Sequence, residues 1–295
     1  MVERESLANN RRKVQPIGYN SLMMRWCLIG LGPVGSRLVE NLSAHGAHVT
    51  GFDPVVRHPK ILNAESVAAA VPGCELVIAA VPSSAAGTVV NQAKEKIAPN
   101  ALFLDWSSSS GANKREYAKN FPGYVDVTLL DPIEAERPLV AVSGERSSET
   151  VTAIEELGFE VWNLGQDVGT AADAKMLRSL FMKPFEALWV WWYAVAADNP
   201  GRAAALRSID RSISAGTISE FSTQMLLTNV KHAKRRAEEL SLASGLVPTG
   251  LDGNLLSAAQ EALSSLATLW QSVAAADADP VEVARMVAGL AKGTI

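Results

Sequence analysis

The sequence predicts an α/β domain followed by an all-helical domain, and three observations point to it. Short apolar runs alternate with helix-period stretches over residues 25–165. Beyond Gly165 no strand signal recurs. Between the first apolar run and the first helical stretch lies the glycine-rich turn Gly30-Leu31-Gly32-Pro33-Val34-Gly35. Strands joined by helices form βαβ units, and these build a largely parallel sheet with helices on both faces.

In order, RWCLIG reads as the first strand, PVGSRLVENLSAHG as its helix, HVTGFD as the second strand and AESVAAA as a short helix. ELVIAAVP, TVVNQAKEKI and ALFLDW then give strand, helix and strand, with a further helix near KREYAKN. YVDVTLL, LVAVSG and FEVWNL are strands, the last two separated by the helix SSETVTAIEELG. Long helical patterns follow over 170–197, 203–214, 218–244 and 254–275, with a short one in VEVARMVAGLAKG. The expected domains are 25–165 and 166–295. Residues 1–24 are polar, lack the apolar region of a signal peptide and end in Met23-Met24. They read as a loose extension, with Met23 or Met24 as an alternative translation start.

Composition narrows the function. A hydrophobic fraction of 48% over 295 residues supports a sizeable core and about two domains. With 27 Lys+Arg against 31 Asp+Glu the net charge is -4, so no basic field exists to gather nucleic acid, and small molecules are the expected partners. Cys27 and Cys74 both lie in apolar runs and read as reduced core residues, which suits the cytoplasm. No apolar stretch reaches the ~18 residues that a membrane span requires. His45, His48 and His58 have no ligand spacing, so no metal is expected.

The glycine turn matches the G-x-G-x-x-G fingerprint of a Rossmann domain, in the right context: after a strand, at the start of a helix, and with Asp53 ending the next strand 18 residues beyond Gly35. Gly30 suits the tight turn, Gly32 a close approach to a pyrophosphate, and Gly35 the packing of helix on strand, while the helix N-terminus attracts phosphate. Leu31, Pro33 and Val34 complete that loop. NAD or NADP is the expected cofactor. Asp53 favours NAD, because a carboxylate accepts hydrogen bonds from ribose hydroxyls and repels a 2′-phosphate. Arg57 and His58 stand close enough in sequence to hold that phosphate if the loop bends back. Val81-Pro82-Ser83-Ser84 and Asp105-Trp106-Ser107-Ser108-Ser109-Ser110-Gly111 end later strands, where an open α/β sheet binds its ligands. Their hydroxyls either hold a substrate carboxylate or cap the following helices.

Taken together, CLIGLGPVGS, DWSSSSG, GTAADAKMLRS and NVKHAKRRAEEL followed by GLVP resemble, in order and spacing, the β-hydroxyacid dehydrogenases, the family of 3-hydroxyisobutyrate and 6-phosphogluconate dehydrogenases. The resemblance spans nearly all of residues 25–248. Within the family KMLRSLFMK and HAKRRAEEL look most similar to a phosphogluconate-dehydrogenase-like branch. It implies a Rossmann domain followed by a helical domain, a homodimer, and hydride transfer between nicotinamide and a β-hydroxy acid. By the same resemblance Lys175 falls on the catalytic lysine, Ser107 and Ser108 on the substrate-binding pair, and Lys231 on a lysine near the active site. The chain departs from the family at Ser179, where relatives carry asparagine, and at His232, where they carry aspartate. It departs again at Asp126-Val-Thr-Leu-Leu-Asp131-Pro132, which replaces a second glycine-rich motif.

On one helix Lys175, Ser179 and Lys183 share a face over about 12 Å. Oxidising a secondary alcohol requires a base for the hydroxyl proton, and a lysine serves only when neutral; burial and a neighbouring cation both favour that form. Lys175 is therefore the expected acid/base and Ser179 its partner in orienting the hydroxyl. Ser107, Ser108, Ser109, Lys183, Lys231 and Arg235 are candidates for holding a small anionic substrate. Lys183 can equally be a snorkelling surface residue, and Arg235 part of a solvated charged face. Trp189, Trp191, Trp192 and Tyr193 read as core or subunit interface. Two other readings stand beside the dehydrogenase: a reductase of C=N bonds and a non-catalytic dinucleotide-binding protein.

Overall fold

A computed structural model describes residues 24–119, 121–249, 253–267 and 283–285, with the side chains of Val230 and Lys231 excepted. The expected amino-terminal extension, apart from Met24, and the last helical stretch, apart from 283–285, lie outside the described residues.

Eight strands form one sheet: β1 (Arg25–Ile29), β2 (His48–Phe52), β3 (Leu62–Asn63), β4 (Leu76–Ala79), β5 (Leu102–Asp105), β6 (Tyr124–Leu129), β7 (Leu139–Ser143) and β8 (Glu160–Asn163). Their spatial order is β3-β2-β1-β4-β5-β6-β7-β8. All neighbours are parallel except β6 and β7, which pair antiparallel from Asp126 opposite Ser143 to Leu129 opposite Val140. That pairing was not expected, and neither was β3, a two-residue edge strand. The direction of winding reverses between β1 and β4, and the crevice at such a reversal is where an open α/β sheet takes its ligand.

The helices of this part are α1 (Pro33–Ala44), α2 (Val67–Ala70), α3 (Ser83–Lys94), α4 (Gly111–Ala118) and α5 (Ser147–Glu156). Alternation along β1 sends Trp26 and Leu28 into one core, with Leu38 and Leu42 of α1 and Ile154 of α5. Cys27 and Ile29 go into another, with Val67 and Ala70 of α2 and Val89, Val90 and Ala93 of α3. The sheet is thus buried on both faces, which explains why its strands read as continuous apolar runs.

Helices α6 (Thr170–Ala196), α7 (Arg202–Ile213), α8 (Ile218–Ala243) and α9 (Asn254–Ala267) follow. The start of α8 is fixed by a capping box in which the Thr217 hydroxyl accepts from the Glu220 N–H and the Glu220 carboxylate accepts from the Thr217 N–H. α9 packs against α8. The chain divides into two compact units, the first ending at Phe181 and the second beginning at Met182. The sequence border at Gly165 lies between β8 and α6, whereas the units divide inside α6 itself. Pro184 sits within one turn of that division. It has no N–H for the carbonyl of Leu180, so the helical ladder is weakest there.

Candidate active site

The glycine loop occupies the reversal point of the sheet. Gly30 has φ +91°, its N–H donates to the Phe52 carbonyl at 2.8 Å, and an added Cβ would lie 2.4 Å from the Ala80 oxygen. Only glycine satisfies both the backbone angle and the space. At Gly35 a Cβ would sit 1.9 Å from the Gly30 oxygen, so α1 rests directly on the turn. Gly32 differs: a Cβ there would meet no protein atom within 4 Å, so protein packing does not demand glycine. Its residue is also the N-cap of α1, without a side-chain cap and followed by Pro33, which leaves the first N–H groups of the helix for another acceptor.

Asp53 ties this loop to β2. One carboxylate oxygen accepts from the Leu31 N–H at 2.9 Å, the other from the N–H groups of Val55 and Val56 at 2.9 Å each. Burial alone would raise its pKa, but those donors, with Arg57 beside them, outweigh it and hold the carboxyl below the ordinary aspartate range. Arg57 turns back onto the Asp53 carbonyl and lies 3.9 Å from Glu65, while His58 faces Glu40 at 3.3 Å. Val81 and the exposed Pro82 continue from β4, and Pro82 is the N-cap of α3.

The second loop follows β5. Ser110 caps α4, its hydroxyl accepting from the Asn113 N–H at 3.2 Å. Ser107 and Ser109 are buried, and Ser107 donates to Ser109 at 2.9 Å, with the Ser83 hydroxyl 3.3 Å from Ser109. Ser108 is the exposed one. The ammonium of Lys175, on α6, donates to the Ser108 hydroxyl at 3.3 Å. Two positions 67 residues apart in sequence thereby meet at the carboxyl end of β5. Burial first, then the positive charges of Lys114 and Arg178, hold the Lys175 pKa below the ordinary lysine range.

A buried polar cluster supports this contact, and sequence reasoning assigned it no role. Lys114, Asp105 and Asp126 are all 0% exposed. Lys114 donates to the Asp126 carboxylate at 2.7 Å and to the Asp105 carbonyl at 2.9 Å. The Asp105 carboxylate accepts from the Ser107 N–H at 2.8 Å and from the Tyr124 hydroxyl. Burial and the adjacent Asp105 push that phenol far up, so it remains a donor. On its other oxygen Asp126 accepts from the Ala172 N–H at 2.9 Å and from the Ser143 hydroxyl at 3.3 Å; Ser143 in turn accepts from the Ala171 N–H at 3.1 Å. The signal for the cluster lay in YVDVTLL, since an aspartate inside an apolar strand requires a partner.

Ser179 lies half-buried one turn beyond Lys175. In the second unit Lys183 is exposed and pairs with Glu186 at 2.8 Å, and Arg235 pairs with Glu239 one turn along α8. The side chain of Lys231 lies outside the described residues. Among the described residues no group of His, Cys, Asp and Glu converges as metal ligands, and no helix is long and apolar enough to cross a membrane.

With this geometry in hand, residues 25–125 match the family described as the NAD binding domain of 6-phosphogluconate dehydrogenase. Over those residues the chain carries an NAD-binding domain. No curated protein matches the chain. Among solved structures it is similar to a conserved hypothetical protein from Sinorhizobium meliloti 1021, with 19% identity, 95% of this chain and 99% of the other covered, and a TM-score of 0.57. A second, described as a conserved protein of unknown function similar in structure to 3-hydroxyacid dehydrogenases, shares 20% identity over 82% of this chain and 98% of its own, with a TM-score of 0.55. An imine reductase variant from Myxococcus stipitatus, solved with NAD+, shares 16% identity over 90% and 99%, with a TM-score of 0.67. At these identities the likeness is one of fold: a Rossmann-like domain followed by a helical region.

Proposed function

We propose that the protein is an NAD(P)-dependent oxidoreductase that transfers hydride between nicotinamide and a β-hydroxy acid or its oxo counterpart, with Lys175 as general acid/base. The observation that carries this reading is the 3.3 Å contact between Lys175 and Ser108, beside a dinucleotide-binding loop. The loop suits the cofactor: space beside Gly32 and the uncapped N-terminus of α1 would receive the pyrophosphate. Asp53 favours NAD, since a carboxylate accepts about four hydrogen bonds and three are taken, leaving one for a ribose hydroxyl.

When bound, the nicotinamide supplies the acceptor or donor of hydride. Lys175 in its neutral form takes the substrate's hydroxyl proton during oxidation, and its ammonium returns a proton to the carbonyl oxygen during reduction. Ser108 orients the group that exchanges this proton, and Ser179 acts beside it. The substrate's carboxylate is assigned to the loop of Ser107, Ser108 and Ser109; Lys183, Lys231 and Arg235 stay candidates from the sequence for binding further negative charge. The substrate is a small organic anion, the assembly a homodimer and the compartment the cytoplasm, where Cys27 and Cys74 stay as free thiols.

Fold likeness to imine reductases supports a second reading, reduction of a C=N bond. Lys175 favours the first reading, because it supplies the acid/base that a hydroxyl substrate requires. Hydroxy acids and cyclic imines assayed with NAD and NADP by nicotinamide absorbance separate the two. Under the first reading Lys175→Ala lowers kcat by about 10²-fold or more with cofactor affinity intact. Full turnover by that variant would overturn it. Because the Lys175 pKa is lowered, wild-type oxidation should rise with pH and level off below the ordinary lysine range.

A further inference from the structure

A fully buried lysine paired with a buried aspartate is a poor way to gain stability, because desolvation offsets most of the attraction and an apolar pair often does as well. Lys114 and Asp126 are such a pair, so their role is to be sought in what they hold. Asp126 accepts the Ala172 N–H and, with Ser143, secures the first turn of α6, where backbone donors have no helical partner. Lys175 lies one turn further along. At the other end Lys114 binds the Asp105 carbonyl, and Asp105 fixes the Ser107 N–H at the head of the serine loop. The pair therefore joins the two segments whose side chains meet at Lys175 and Ser108.

We propose that Lys114 is a positioning residue for Lys175: its ion pair with Asp126 locks the start of α6 to the serine loop and places a fixed positive charge beside the amine. The inference rests on the acid/base reading of Lys175 for its meaning in catalysis, though not for its geometry. Charged groups on the elements that meet there are Lys114, Arg115 and Glu116 of α4, Asp105 of β5, Asp126 of β6, and, within a turn of Lys175, Asp173 and Arg178 of α6; Glu116 is taken up by Lys119. Arg115 and Asp173 offset each other at 3.0 Å. A cation near an amine disfavours its protonation, so Lys114 keeps a larger share of Lys175 neutral.

The test reads Lys175 without turnover: amines of the whole protein are acylated at a series of pH values, and the extent at Lys175 is followed by peptide mass spectrometry. Lys114→Met removes the charge but strands the Asp126 carboxylate, which can unfold the domain. Lys114→Met/Asp126→Asn removes both charges while an amide oxygen remains for the Ala172 N–H. In the folded double variant the labelling midpoint of Lys175 should move to higher pH, because of the removed pair it is Lys114, and not Asp126, whose charge acts on the amine, and labelling at neutral pH should be several-fold lower. The rising limb of oxidation against pH should move the same way. An unchanged midpoint in that variant overturns the proposal. A midpoint that moves while Lys175→Ala still turns over normally supports the coupling and sinks the acid/base reading instead.

Discussion

The two units bury different things. In the first, large side chains such as Phe103, Trp26, Leu28, Ile78 and Phe159 are sealed on both faces of the sheet, and even its charged residues Lys114, Asp105 and Asp126 have partners. In the second, the buried apolar residues among those described are Ala196, Ala233, Ala237 and Val283, while α7 and α9 bury none. Val190 is 74% exposed and Leu242 82%. Trp189, Trp192 and Tyr193 gather along one helix with ring centroids 5.3 to 6.0 Å apart, Trp192 edge to face with both others and Trp189 tilted against Tyr193. Among its described residues, this unit exposes much apolar surface and buries little, and exposed apolar patches mark interaction surfaces. The difference teaches where apolar area goes: the sheet unit encloses it, whereas the described part of the helical unit presents it outward, and that is the observation that supports the proposed homodimer.

The largest expected effect sharpens the first half of that contrast. Phe103 is fully buried between Phe121 and Tyr124, at centroid distances of 5.4 and 5.8 Å. Phe103→Ala should cost about 3–5 kcal/mol through lost burial and the cavity left behind. In urea unfolding the loss should be the same at every protein concentration. Val190→Glu addresses the second half. Placed in a subunit interface, an unpaired carboxylate should weaken association by about 3 kcal/mol. Light scattering should then give the mass of one chain in place of two, and the unfolding midpoint should cease to rise with concentration. A variant that keeps the mass of a pair would break the comparison, because Val190 would then be a tolerated surface residue.

What the sequence made legible follows from the length and uniformity of each signal. The glycine loop with Asp53 was readable because each position answers to a local constraint, such as the φ of Gly30 or the contact of Gly35. The long helices were readable from their period, to within a residue or two wherever they are described. β3 was missed because two residues carry no period. The antiparallel turn of β7 left a clue that periodicity does not use: residues 130–138 are too few for the crossover that parallel strands need. Within the site, Lys175 and Ser108 are each legible in the sequence, but their contact depends on how α6 begins, where Asp126 and Ser143 hold its first N–H groups. Lys114 was hidden because GANKREYA is polar all round and reads as a solvated helix. Which of its charges is buried is decided by the strand it covers.

The smallest effect concerns the join between the cofactor loop and the sheet. Asp53→Asn leaves one acceptor oxygen where there were two, so the Leu31 N–H or those of Val55 and Val56 lose their partner. The expected cost is about 1 kcal/mol at neutral pH, the net worth of one such bond. The sign against pH follows from the lowered carboxyl pKa. A carboxyl that is more acidic folded than unfolded contributes its full stabilisation above the unfolded value, near 4, and loses it as pH falls through the folded value. Wild type and variant should therefore differ at pH 7 and converge in acid when unfolded by urea at each pH. The rate with NAD should fall more than the rate with NADP, because the ribose acceptor weakens while the repulsion of a 2′-phosphate is lifted. A variant that keeps its NAD rate and differs only in stability would confine Asp53 to bracing the glycine loop, a role that belongs to the sheet unit rather than to the choice of cofactor.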